Sequence, residues 1–148
     1  MKRKEFIKNC CYACLGSLPM IAAMQGCSTG KMFSATIDGD NMIVPLRWFV
    51  QTNGNKKTYR RNIIIQNSII RFPIYVTRYS DSKYSAVYMQ CTHQGAGLSA
   101  YGDTLQCAAH GSRFDTQGAV LEAPATKPLR TFAVTILKDE LHISLKAV

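Results

Sequence analysis

Two short boxes constrain this chain more than any other feature: Cys91-Thr92-His93 and Cys107-Ala108-Ala109-His110, with thirteen residues between them. Each offers one thiolate and one imidazole, donors that bind transition metals. Between the boxes, Leu98 to Tyr101 and Thr104 to Gln106 flank a Gly102-Asp103 turn. That pattern predicts a tight antiparallel excursion, which returns the chain and brings both donor-bearing loops to one end.

The rest of the sequence must supply a scaffold for that tip. At 148 residues, 47% hydrophobic and 18% charged, the chain can bury a core and suits one domain. Strand-forming residues dominate after position 32, and turn signals recur at DGDN, NGNKK, SDSK, YGD, DTQG and LKDE. The expected strands are Phe33–Ile37, Met42–Pro45, Tyr59–Gln66, Ile74–Tyr79, Ser85–Gln90, Leu98–Ala100, Thr104–Gln106, Val120–Leu121, Leu129–Leu137 and Leu141–Leu145. This is an all-β sandwich or barrel with the two loops at one end. Trp48, Phe72, Tyr88 and Met89 read as packing residues. In LHISL, Leu141, Ile143 and Leu145 alternate with His142 and Ser144, so the third histidine falls on the outward face of a half-buried strand.

The formal charge is +9, of which the first eight residues contribute +3, leaving +6 for the remainder. Arg47, Lys56, Lys57, Arg60, Arg61, Arg71 and Arg78 are dispersed among strands and turns. They form neither a recognition helix nor an aromatic-basic sheet motif, so nucleic acid is not an expected partner. The surplus reads as a solvated basic face, with steering of an acidic partner as the alternative.

Residues 1–30 have the layout of an export signal: basic residues, an apolar run from Cys10 to Met24, then small residues around Cys27. Fifteen apolar residues interrupted by Gly16 and Pro19 fall short of the ~20 that a spanning helix needs. RKEFIK resembles a twin-arginine export signal with Lys4 in place of the second arginine, and MQGC resembles the end of a bacterial lipoprotein signal. The latter resemblance implies acylation of Cys27 and attachment to a membrane through the N-terminus. Cys10, Cys11 and Cys14 then act as small hydrophobes of the leader. The expected organisation is a leader over 1–30 and one domain over 31–148, exported to the periplasmic face of a bacterial membrane.

Cys91, His93, Cys107 and His110 admit more than one metal. Tetrahedral zinc takes two cysteines and two histidines, although its finger signature groups like with like. One of each per box also suits a two-iron, two-sulfide cluster with the cysteines on one iron and the histidines on the other. CTHQGA and CAAHGSRFD resemble the two cluster-binding boxes of Rieske iron-sulfur proteins. The similarity continues through APATKP, where the family has a proline-containing loop over the cluster, and PLRTFAVTI with LHISL, its closing hairpin. The resemblance implies a [2Fe-2S] cluster, with Cys91 and Cys107 on the inner iron, His93 and His110 on the outer one, and Pro124 in the covering loop. Gly95, Gly97 and Gly111 would permit close backbone approach and N–H donation to sulfur, or serve turn geometry alone.

Departures from the family pattern bear on redox behaviour. Ala96 and Ala109 stand where high-potential relatives have a bracing disulfide; Ser112 matches a hydrogen-bonding serine, while Phe114 replaces the tyrosine. A potential in the middle of the Rieske span, roughly −150 to +300 mV, is therefore expected. The implied function is one-electron transfer in a membrane-associated redox chain, between a quinol or protein donor and a cytochrome-type acceptor. The alternatives are a freestanding ferredoxin serving an exported oxidoreductase or oxygenase, and a zinc-stabilised binding module. No flavin, nicotinamide or mononuclear-iron motif accompanies the boxes, so the chain is not expected to be an enzyme by itself.

Overall fold

A computed structural model describes residues 30–146. Cys10, Cys11, Cys14 and Cys27, and with them the whole proposed leader except Gly30, lie outside those residues. Among the described residues no helix is long and apolar enough to cross a membrane.

Fourteen strands follow in order: β1 Lys31–Ser34, β2 Thr36–Asp38, β3 Asn41–Pro45, β4 Val50–Asn53, β5 Lys56–Tyr59, β6 Asn62–Gln66, β7 Ile74–Arg78, β8 Tyr84–Tyr88, β9 Ser99–Tyr101, β10 Thr104–Gln106, β11 Arg113–Asp115, β12 Val120–Glu122, β13 Val134–Leu137 and β14 Glu140–Ser144. Among the described residues one 3₁₀ turn, Leu46–Phe49, links β3 to β4. The strands form three four-stranded sheets, ordered β1-β6-β7-β8, β12-β11-β10-β9 and β13-β14-β3-β2, while β4 and β5 make a separate hairpin.

The central sheet explains the run Ile63-Ile64-Ile65, which alternation would not produce. Successive strand residues face opposite sides, and here both sides are buried. Ile63, Ile65, Ile74, Val76 and Ala86 pack with Met42, Val44, Leu141 and Ile143 of the β13-β14-β3-β2 sheet. The register row Ile64↔Tyr75↔Val87 packs the other way, against Leu98, Ala100, Leu105 and Phe114. The all-β architecture expected from the sequence thus has a middle layer with two apolar faces. Trp48, stacked on Phe33 with centroids 4.7 Å apart, flanks the first core, and Met89 is buried in the second.

Several expected strands have different bounds. Phe33–Ile37 is broken at Ala35, whose N–H donates to the Gln66 carbonyl and whose carbonyl accepts from Asn67 Nδ2. There the chain crosses between layers: β1 pairs with β6, in parallel, and β2 pairs with β3 in another sheet. Tyr59–Gln66 divides where the Arg60 N–H donates to the Phe49 carbonyl, ending β5 before β6 begins. Leu129–Leu137 is a strand only from Val134; the preceding segment is extended and bonded to β8 through Tyr88 N–H to Arg130 O and Phe132 N–H to Ala86 O. β4 and β11 have no counterpart among the expected strands.

The predicted excursion between the boxes is the β9–β10 hairpin. Its turn is clamped to the central sheet. Tyr75 Oη donates to the Gly102 carbonyl at 2.5 Å, Asn62 Nδ2 donates to Asp103 Oδ1 at 3.1 Å, and Arg61 pairs with Asp103 at 2.9 Å. Burial, assisted by the Asp103 charge and opposed by Arg61 and the Asn62 bond, pushes the Tyr75 phenol up to about 12. Tyr75 therefore stays a neutral donor at ordinary pH, and the hairpin is anchored at the end away from its loops.

Candidate metal centre

Each box sits on a turn leaving a buried strand edge, and the two turns follow one plan. The Cys91 carbonyl accepts from the Gly95 N–H at 2.8 Å, and the Cys107 carbonyl from the Gly111 N–H at 2.9 Å. The Cys91 N–H donates to the Ala96 carbonyl at 2.7 Å, and the Cys107 N–H to the Ser112 carbonyl at 2.8 Å. Both glycines have positive φ, +75° and +84°, a conformation that residues with a Cβ adopt only under strain. A C-x-H box and a C-x-x-H box thus share the same turn, with the histidine one residue later in the second.

This arrangement decides the role of the glycines. The Gly95 and Gly111 amides are committed to cysteine carbonyls, so their function is turn geometry and not donation to sulfur. Gly97 lies against Phe72, where a Cβ would make ordinary contact with the ring at 3.4 Å.

Burial separates the donors by type. Cys91 and Cys107 are free thiols, 2% and 1% exposed, within the second core. His93 and His110 are exposed, with ring centroids 5.0 Å apart and planes 89° from parallel. Two imidazoles sharing one tetrahedral ion, with metal–nitrogen bonds of about 2.1 Å, place their centroids roughly 5 Å apart. Among the described residues, no three cysteine, histidine, aspartate or glutamate side chains gather closely enough to hold a single ion. A buried sulfur pair and an exposed imidazole pair fit a binuclear centre better than four donors on one zinc. Thiolates are the soft ligands that iron-sulfur clusters require.

The surroundings are tied to the second turn. Ser112, fully buried, accepts at Oγ from the Ala125 N–H at 3.0 Å, while its carbonyl accepts from the Cys107 N–H. Thr92 Oγ1 donates to the Lys127 carbonyl at 2.6 Å, joining the first box to the same APATKP loop. Within that loop Ala125 packs in the cysteine core, while Pro124 is exposed. Phe114 is buried in the cysteine core and pairs with Leu105 across β10–β11. Ala96 and Ala109 occupy the positions where the resemblance to high-potential relatives implies a bracing disulfide. His142 belongs to another sheet, 3.7 Å from Glu140, and takes no part.

What sequence reasoning missed is a grouping of basic residues. Lys31, Arg47, Arg60 and Arg61, distant along the chain, meet around two adjoining clefts. Their signal was hidden because β1, the 3₁₀ turn and the β5–β6 junction come together only in the folded chain.

A family model described as the Rieske [2Fe-2S] domain matches residues 49–133. The cytochrome b6-f complex iron-sulfur subunit 2 of Nostoc sp. is 34% identical over 76 residues, covering 49% of this chain and 43% of that protein. Subunit 1 from Synechocystis sp. is 38% identical over 56 residues, covering 36% of this chain and 32% of its own length. Among solved structures, the cyanobacterial plasma membrane Rieske protein PetC3 from Synechocystis aligns with a TM-score of 0.49 at 25% identity, covering 57% of this chain and 86% of that one. The chain spans less than half the length of these curated relatives.

Proposed function

Because this chain belongs to the Rieske [2Fe-2S] domain family, whose model covers more than half of it, we propose that it performs one-electron transfer in a membrane-associated redox chain. The cofactor of the family is a [2Fe-2S] cluster; when bound, it supplies a one-electron couple. Cys91 and Cys107 would hold the inner iron and His93 and His110 the outer one. The observation that carries this reading is the division of donors: buried thiols on the core side, and an exposed imidazole pair 5.0 Å apart at the tip.

The residues perform distinct tasks. Cys91 and Cys107 exclude water from the sulfur side by their burial among Leu98, Leu105, Phe114 and Ala125. His93 and His110 present an edge that a partner can approach, and each can hold a proton on the ring nitrogen that is not bonded to metal. Ser112, whose carbonyl closes the Cys107 turn and whose Oγ accepts from the Ala125 N–H, would donate its hydroxyl proton to cluster or cysteine sulfur. The partners would be a quinol or protein donor and a cytochrome-type acceptor. Residues 1–30 would serve as an export leader, Cys27 as a lipid attachment point, and 31–148 as the domain held at the periplasmic face. Ala96 and Ala109, which leave the two loops without a bracing disulfide, favour a second reading: a freestanding ferredoxin for an exported oxidoreductase.

Redox titration of the purified holoprotein, followed by its visible spectrum, tests this. A single one-electron transition near the middle of the roughly −150 to +300 mV Rieske span is expected. Absence of a reversible one-electron step would overturn the assignment.

A further inference from the structure

The two clefts, of about 470 and 590 Å³, share Lys31, Gln51 and Arg60 as walls. Arg47 borders one and Arg61 the other, and no acidic side chain lines either. Lys56 and Lys57 extend this surface on the exposed β4–β5 hairpin, opposite Asn53 and Thr52, which line the first cleft. Arg60 is a fixed charge there, donating to the Trp48 and Val50 carbonyls at 3.1 and 3.0 Å. Asp103, a carboxylate that reaches this end, is held by Arg61.

This basic end lies opposite the imidazoles. β9 runs from the first box to the Gly102-Asp103 turn and β10 runs back to the second box, so turn and boxes occupy opposite ends of one hairpin, about 10 Å long. The turn is where Arg61, Asn62 and Tyr75 attach, and Gly102 lines the second cleft. The N-terminal side of the domain emerges at the same place: Gly30 and Lys31 line that cleft. If Cys27 is acylated, the reading on which this inference rests, four residue steps separate it from Lys31, at most ~14 Å when extended. A tether this short lets basic side chains here come within the Debye length of about 8–10 Å of anionic headgroups, where the attraction is not screened.

We propose that this end is a membrane-facing surface that docks on anionic phospholipid headgroups and holds His93 and His110 away from the bilayer, toward a water-soluble redox partner, which selects the protein donor over a membrane-dissolved quinol. The tether at the same end is what favours a lipid surface over an acidic protein. One ring nearby suits a polar–apolar boundary: Trp48 lines the first cleft against Phe33.

The test uses the full-length, unacylated holoprotein with vesicles of phosphatidylcholine alone or containing phosphatidylglycerol. Trp48, the single tryptophan of the chain, reports proximity through quenching by brominated lipid. Phosphatidylglycerol-dependent, salt-sensitive sedimentation with Trp48 quenching is expected. In the Lys56→Glu/Lys57→Glu variant, partitioning should fall at least tenfold, given roughly fivefold per basic side chain. Unchanged partitioning of that variant would assign binding to the basic leader residues and overturn the proposal, as would bound protein whose Trp48 is not quenched. Binding to polyglutamate but not to vesicles would identify an acidic protein as the occupant, with the same consequence. Intact-mass spectrometry of the protein isolated from cells tests the anchor separately: a Cys27 without an acyl adduct refutes acylation and leaves the vesicle result standing.

Discussion

Cys107→Ser is expected to abolish the visible absorption of the holoprotein and to remove iron and sulfide from it, while the β-sheet circular dichroism persists at low temperature. The substitution isolates the sulfur. The Cys107 amide and carbonyl make the turn bonds to Ser112 and Gly111, and serine retains both. Its hydroxyl is close in size but is a hard, protonated ligand in a place that calls for a soft thiolate. Since bound metal contributes its binding free energy to folding, the variant also melts at a lower temperature than the holoprotein. His142→Ala is the control: that histidine sits beside Glu140 on a different sheet, and its loss leaves the spectrum unchanged. A Cys107→Ser protein that kept its colour would remove this residue from the centre.

Ser112→Ala is expected to lower the reduction potential by ~60 mV, and Phe114→Tyr to raise it by a similar amount. The Ser112 Oγ accepts from the Ala125 N–H, which leaves its own proton free to donate, and the Ser112 carbonyl closes the Cys107 turn. A hydrogen bond to sulfur stabilises the electron-rich reduced state more than the oxidised one. For a one-electron couple ~59 mV corresponds to about 1.4 kcal/mol, the scale of a bond to a charged group. Phe114 is fully buried in the same core as Cys91 and Cys107, at the position where the resemblance to high-potential relatives implies a tyrosine that donates to sulfur. Ser112→Ala also leaves the Ala125 amide without its partner, at a stability cost of about 1–3 kcal/mol. Redox titration separates the two effects, because unfolding does not shift the midpoint of the folded fraction. Midpoints that stay in place in both variants would show that neither position bears on the potential.

The site was legible in the sequence because its information is local. Four donors, two glycines and a serine lie within residues 91–112, and each turn is closed by bonds inside its own box. The β9–β10 hairpin was legible for the same reason. Long-range features were not. Ile63-Ile64-Ile65 announces a strand buried on both faces, but only the packing shows which layers cover it. Phe33–Ile37 looks continuous, yet its ends serve different sheets across Ala35, a division set by Gln66 and Asn67 some thirty residues away. β4 lacks apolar alternation because its hairpin is exposed, and β11 is three residues long inside the second box. The basic end is assembled from segments that no sequence window spans.

Metal and sulfide analysis of the natural protein, combined with pulsed EPR of the dithionite-reduced state, addresses the central claim most directly. Two irons and two acid-labile sulfides per chain are expected, with hyperfine coupling from two histidine nitrogens. Zinc without sulfide, or a reduced centre with no nitrogen coupling, would contradict a cluster held by two cysteines and two histidines.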